Sequence, residues 1–73
     1  MTVQVEIGDG LRKPELPAVV RLEDVATVGD AVSRLTLARH QGLVILVNGR
    51  LAGWPTALHD GDVVRLLPAL GGG

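Results

Sequence analysis

Residues Thr2 to Ile7 alternate, with Val3, Val5 and Ile7 on one face and Thr2, Gln4 and Glu6 on the other. A period of two predicts a half-buried strand, and Gly8-Asp9-Gly10 ends it. Lys13-Pro14-Glu15-Leu16-Pro17 carries two prolines, which bar a central strand and predict an irregular connection. Ala18 to Glu23 reads as a second strand with Val20 and Leu22 inward, and the short separation predicts an antiparallel hairpin. The period then changes. Val28, Ala31, Val32, Leu35 and Ala38 recur at spacings of three and four, with Arg34 and Arg39 off the stripe, which predicts one amphipathic helix. Thr27 is placed to cap it and Asp30 to meet the positive end of its dipole. Gln41-Gly42 supplies the stop.

Leu43 to Val47 is apolar on both faces of a third strand, and Asn48-Gly49 behind it is the strongest short hairpin signal in the chain. Arg50 to Ala52 is expected as the return strand, ended by Gly53-Trp54-Pro55. Thr56-Ala57-Leu58 has room for no more than a helical turn, His59-Asp60-Gly61-Asp62 reads as a turn, and Val63 to Leu67 forms the last strand, closed by Pro68. Four or five strands with one helix make an α+β layer whose second sheet face stays open. Two strands nevertheless carry apolar residues on both faces. Either a loop such as Leu51 to Leu58 covers the surplus, or it is a patch for a partner.

Composition narrows the chemistry. With 7 basic and 8 acidic residues in 73 there is no basic excess to hold nucleic acid or an anionic membrane. With 0 Cys there is no disulfide framework, thiolate zinc site or cysteine nucleophile. Six of the seven basic residues are Arg. No apolar run approaches a bilayer span of about 20 residues, and the N-terminal residues lack the pattern of a targeting signal, so a cytoplasmic location is expected. There is no Walker lysine motif, and Gly8-Asp9-Gly10 is not a dinucleotide fingerprint. His40 and His59 stand without metal-ligand spacing and read as surface or capping residues, while Asp60 and Asp62 flank Gly61 as a turn requires.

Ala26-Thr27-Val28-Gly29-Asp30 at the helix start, Val47-Asn48-Gly49 at the hairpin, Leu58-His59-Asp60-Gly61-Asp62-Val63 before the last strand and the ending on Gly72-Gly73 together resemble the ubiquitin-like β-grasp sulfur carriers, the MoaD/ThiS family. The resemblance covers nearly the whole chain and implies a single β-grasp domain over residues 1–73. In that fold a mixed four- to five-stranded sheet has the first and last strands parallel at its centre. The helix crosses one face, and a flexible reactive tail occupies residues 69–73. Leu66-Leu67-Pro68-Ala69 resembles the molybdopterin synthase small subunits more than the thiamine carriers.

The resemblance also implies a chemistry. The Gly73 carboxylate is the reacting group, adenylated by a ubiquitin-activating-like enzyme with ATP and Mg²⁺ and converted to a thiocarboxylate by a sulfur donor protein. The sulfur then passes to a synthase large subunit or another sulfur-accepting enzyme. The chain is thus a protein co-substrate that binds no cofactor of its own. Leu70, Gly71 and Gly72 are the expected tail-insertion residues: glycine enters channels too narrow for a Cβ, Gly71 is a spacer beyond the usual pair, and Leu70 either anchors in a partner groove or packs on Pro68. Arg65 and Leu67 on the last strand are the candidate partner contacts, with solvation as the other reading of Arg65. Two further readings stand beside the molybdopterin carrier and its thiamine, cysteine or natural-product counterparts. One is a ubiquitin-like modifier joining Gly73 to lysines, and the other is an interaction module with an inert tail.

Overall fold

The computed structural model describes residues 1–8, 18–35 and 43–68. The expected connection at Lys13–Pro17, the later helix positions Ala38 and Arg39 with His40 and the stop Gln41-Gly42, and the tail from Ala69 lie outside them. In chain order the elements are β1 (Thr2–Ile7), β2 (Val19–Glu23), α1 (Val28–Arg34), β3 (Leu43–Val47), β4 (Arg50–Leu51) and β5 (Val63–Pro68). They form one five-stranded sheet in the order β2-β1-β5-β3-β4. β1 pairs antiparallel with β2 and parallel with β5, and β5 pairs antiparallel with β3. The first and last strands therefore lie side by side at the centre, as the resemblance implied.

Alternation decides which face is covered. Val3, Val5 and Ile7 of β1, Ile45 of β3 and Val64 and Leu66 of β5 are buried together with Val28, Ala31, Val32 and Leu35 from α1 and its C-cap. Packing this aliphatic core on a single helix makes each methyl group count, because interiors are close-packed and collapse only partly around a lost group. Replacing Val32 or Leu35 by Ala is expected to cost about 1 to 4 kcal/mol, the larger loss at Leu35. Thermal melts of the two variants check this, and an unchanged midpoint in both would place the buried face elsewhere.

The helix starts as its sequence dictates. The Thr27 side chain accepts from the Asp30 amide at 3.2 Å, and the Asp30 carboxylate accepts from the Ala26 amide at 3.2 Å. This is a reciprocal cap one residue wider than the usual box. The described helix ends at Arg34 with Leu35 as C-cap, shorter than the apolar stripe alone suggested. Arg34 donates to the Glu23 and Asp24 carbonyls, tying the last turn to the end of β2.

Other boundaries shift too, and β2 begins at Val19 and not at Ala18. Residues 56–58 make no helical turn; Ala57 bridges Thr27, and the Thr56 and Trp54 carbonyls accept from Val28 and Gly29. Those two amides have no partner within the helix, so the segment serves as a strap over the helix start. Leu58 on this strap is buried in the helix-side core, so the Leu51 to Leu58 loop covers that side and leaves the other sheet face open. The return strand stops at Leu51, although the Ala52 amide still donates to Ile45. Pro68 belongs to β5 instead of following it, opposite Leu43; a strand end tolerates its missing N–H.

Candidate functional site

β5 carries every candidate site residue that the structure describes, so what fixes β5 fixes the site. A one-residue slip would turn Arg65 and Leu67 into the core and Leu66 out of it. The start of the strand is held accordingly. Asn48 and Gly49 have φ of 51° and 84°, the left-handed pair that a two-residue hairpin turn of matching twist demands. Asn48 then clamps Val63 from both sides of its peptide unit: its amide donates to the Val63 carbonyl at 2.8 Å and its side-chain oxygen accepts from the Val63 amide at 2.9 Å. Its side-chain nitrogen donates to Asp62 at 2.9 Å, and the second Asp62 oxygen accepts from the His59 amide at 2.8 Å. Asp60 accepts from the Thr2 amide at 2.7 Å, fastening the same turn to β1.

His59, Asp60 and Asp62 are thus turn and capping residues, in agreement with their spacing. Protonated, the His59 ring makes an ion pair with Asp62 at 3.8 Å. The Asp62 carboxyl is held below the usual carboxylate range, chiefly by the Asn48 hydrogen bond and then by the His59 amide, against a small opposing effect of burial. A carboxylate depressed in the folded state stabilises the fold above its unfolded value, about 3.9 for Asp, and that stabilisation disappears as pH falls through the folded value. Asp62→Asn is therefore expected to flatten the acid limb of stability below about pH 4. Melting midpoints of both proteins across that range check it, and parallel curves would show that another group governs the limb.

Register sorts the open face. Glu6 lies beside Arg65 on the parallel neighbour, Leu46 opposite Arg65, and Val44 opposite Leu67 on the antiparallel one. Directly paired residues share a face, so Val44, Leu46 and Leu67 form an apolar strip continued by Leu51 of β4, which is 80% exposed. The surplus apolar residues read from β3 and β5 are this strip. Arg65 is not merely solvated. Its Nε lies 3.2 Å from the Glu6 carboxylate, with side-chain exposures of 53% and 36%. A surface groove of about 190 Å³ opens beside the pair, lined by Glu6, Ile7, Gly8, Val19, Arg65 and Leu67 among others, toward the end of the sheet where β5 finishes. The structure thus brings Arg65 and Leu67 together on one face. Leu70, Gly71, Gly72 and Gly73 lie outside the described residues.

Glu6 and the strip residues Val44, Leu46 and Leu51 were not singled out as site residues from the sequence. Alternation gave the sidedness of Glu6, but pairing it with Arg65 requires the parallel register of two strands that begin 61 residues apart. Among the described residues no three His, Cys, Asp or Glu side chains are grouped to hold a metal. Among them, too, no helix is long and apolar enough to cross a membrane.

A mixed sheet with its terminal strands parallel at the centre and a helix across one face is the β-grasp of ubiquitin-like proteins. Residues 12–73 match the profile of the ThiS family, and the chain belongs to that family of ubiquitin-like β-grasp sulfur carriers. Among solved structures, the crystal structure of SAMP1 from Haloferax volcanii is similar, with a TM-score of 0.81 and 24% identity, over 100% of both chains. Comparison with curated proteins gives no match.

Proposed function

We propose that this chain carries sulfur on Gly73 for molybdopterin biosynthesis. A carboxylate is a poor acyl donor because its leaving group would be oxide. A ubiquitin-activating-like partner with ATP and Mg²⁺ replaces that leaving group with AMP, releasing pyrophosphate. The terminal sulfur of a persulfide on a sulfur donor protein then displaces AMP, a second thiol cleaves the acyl disulfide so formed and leaves as a disulfide with the donor, and the thiocarboxylate sulfur thus released, softer and more nucleophilic than oxygen, is delivered to an acceptor bound by a synthase large subunit. Throughout, the chain is a co-substrate and not the catalyst. The open face docks, Arg65 and Leu67 orient the partner, and Leu70, Gly71 and Gly72 thread Gly73 into its channel.

The observation that carries this reading is the placement of β5. It is held on both sides by β1 and β3, presents Arg65 and Leu67 to the open face, and is followed in the sequence by Ala69, Leu70 and Gly71-Gly72-Gly73. From Ala69 to Gly73 an extended chain reaches roughly 17 Å, enough to enter a neighbouring active site. A second reading, a ubiquitin-like modifier, draws on the same activated carboxylate and on the fold shared with SAMP1. The test supplies thiocarboxylated chain, its sulfur radiolabelled, to a molybdopterin synthase large subunit and to a thiazole synthase, each with its own substrate. Label in the pterin product is expected. Label in the thiazole product alone moves the protein to the thiamine branch, and lysine conjugates without label transfer support the modifier.

A further inference from the structure

We propose that Asn48 is a self-modification site: once its side chain lets go of Asp62 and Val63, the Gly49 backbone nitrogen attacks it, ammonia is lost, and the aspartyl product unfastens the start of β5. Asn48 is the chain's one Asn, it is followed by Gly, and both residues are exposed in the hairpin turn. Glycine is the successor that hinders such an attack least, because no Cβ shields the nitrogen. Nothing lies within 4 Å of the position that a Gly49 Cβ would take, so water also reaches the turn freely. The inference does not depend on what Gly73 carries.

The contacts that fix the strand also hold the reaction back. Closing a succinimide ring requires the Asn48 side-chain carbonyl carbon to bond to the Gly49 nitrogen, but both heteroatoms on that carbon are engaged elsewhere. Its oxygen accepts from the Val63 amide at 2.9 Å, and its nitrogen donates to Asp62 at 2.9 Å. Asp62 is itself held, since its other oxygen accepts from the His59 amide at 2.8 Å. Rotating the carboxamide onto Gly49 therefore breaks both hydrogen bonds, one of them charge-assisted. After rotation the Gly49 N–H gives its proton to solvent and the nitrogen bonds to the side-chain carbon. The amino group takes up a proton and leaves as ammonia, and water opens the succinimide at either carbonyl. The net change consumes one water and releases one ammonia, with no oxidant or reductant.

Either product undoes the clamp. Opening at the backbone carbonyl leaves an isoaspartyl linkage, which adds a carbon to the main chain in a turn whose twist depends on the φ angles of 51° and 84° at these two residues. Opening at the side-chain carbonyl leaves Asp, whose carboxylate has no N–H for Asp62 and stands against it as a like charge. In each case the tie between residue 48 and Asp62 across the base of β5 is lost.

The test follows the full chain, as wild type and as Asp62→Ala, in mildly alkaline buffer, with wild type also in concentrated urea. Peptide mapping measures conversion at residue 48, and released ammonia gives a second readout. Native wild type is expected to convert more slowly than the unfolded chain by about tenfold or more, and Asp62→Ala to regain about tenfold, the effect of one hydrogen bond to a charged group. Should Asp62→Ala lose its native melt, Asp62→Asn takes its place, since it keeps the shape but offers one acceptor oxygen to two donors. Converted wild-type chain, separated by ion exchange, is expected to melt below the unconverted chain and to exchange its Val63 amide hydrogen faster. Equal rates for native wild type and the variant overturn the proposal, as do equal rates for native and unfolded wild type, or a converted chain whose melt and Val63 exchange are unchanged.

Discussion

Deleting Gly73 is expected to abolish activation altogether while leaving the melting curve where it was. The two outcomes separate because the buried residues of the described core run from Val3 to Leu66, and deleting a terminal glycine removes no side chain from among them. The chemistry, in contrast, depends on where the carboxylate ends up. A truncated chain still presents a glycine carboxylate, now on Gly72, but one residue is about 3.4 Å. A misplacement of even 1 Å from the near-attack geometry costs about a hundredfold in rate. Pyrophosphate release in the presence of ATP, Mg²⁺ and the activating enzyme measures the effect. Equal release from truncated and full-length chains would remove Gly73 from the reaction.

The second large effect is expected on docking. Leu67→Glu places a carboxylate in the apolar strip formed with Val44 and Leu46, on the face away from the core. Covering that charge with a partner surface leaves it desolvated and unpaired, at a cost of about 2 to 4 kcal/mol, or roughly 30- to 1000-fold in Kd. The free domain keeps the charge in water, so its melt is expected to shift little. Titration calorimetry against the activating enzyme, with a melt of the same sample, gives both numbers. Unchanged affinity would move the docking surface off this face, and loss of the native melt would show that Leu67 serves the fold.

Both expectations depend on features that differ in how openly the sequence displays them. Local rules placed the elements: the Val3, Val5, Ile7 alternation, the Thr27 and Asp30 cap, and Asn48-Gly49, whose positive φ angles only a few residue types accept without strain. The open face also followed from counting one helix against strands apolar on both sides. What stayed hidden were contacts between segments far apart in the chain. Local spacing allows the strap little more than a turn, because its carbonyls bond to helix amides 25 to 28 residues earlier, and no local period encodes such a bond. Glu6 beside Arg65, and Asp60 holding the Thr2 amide across 58 residues, depend likewise on the parallel pairing of the first and last strands. That pairing came only from the family resemblance. In the candidate site, therefore, the identities of Arg65 and Leu67 were legible, whereas the ion pair and the apolar strip that give them a context were not.

Sulfur carried on Gly73 changes the mass of the chain. Intact-mass spectrometry of the chain after incubation with ATP, Mg²⁺, its activating enzyme and a sulfur source tests it most directly, with fragmentation to locate any change. The expected spectrum shows the protein heavier by the difference between one sulfur and one oxygen, with the change confined to the terminal glycine. A spectrum that contains only branched conjugates, with Gly73 joined to a partner's lysine and no thiocarboxylate at any time point, would contradict it.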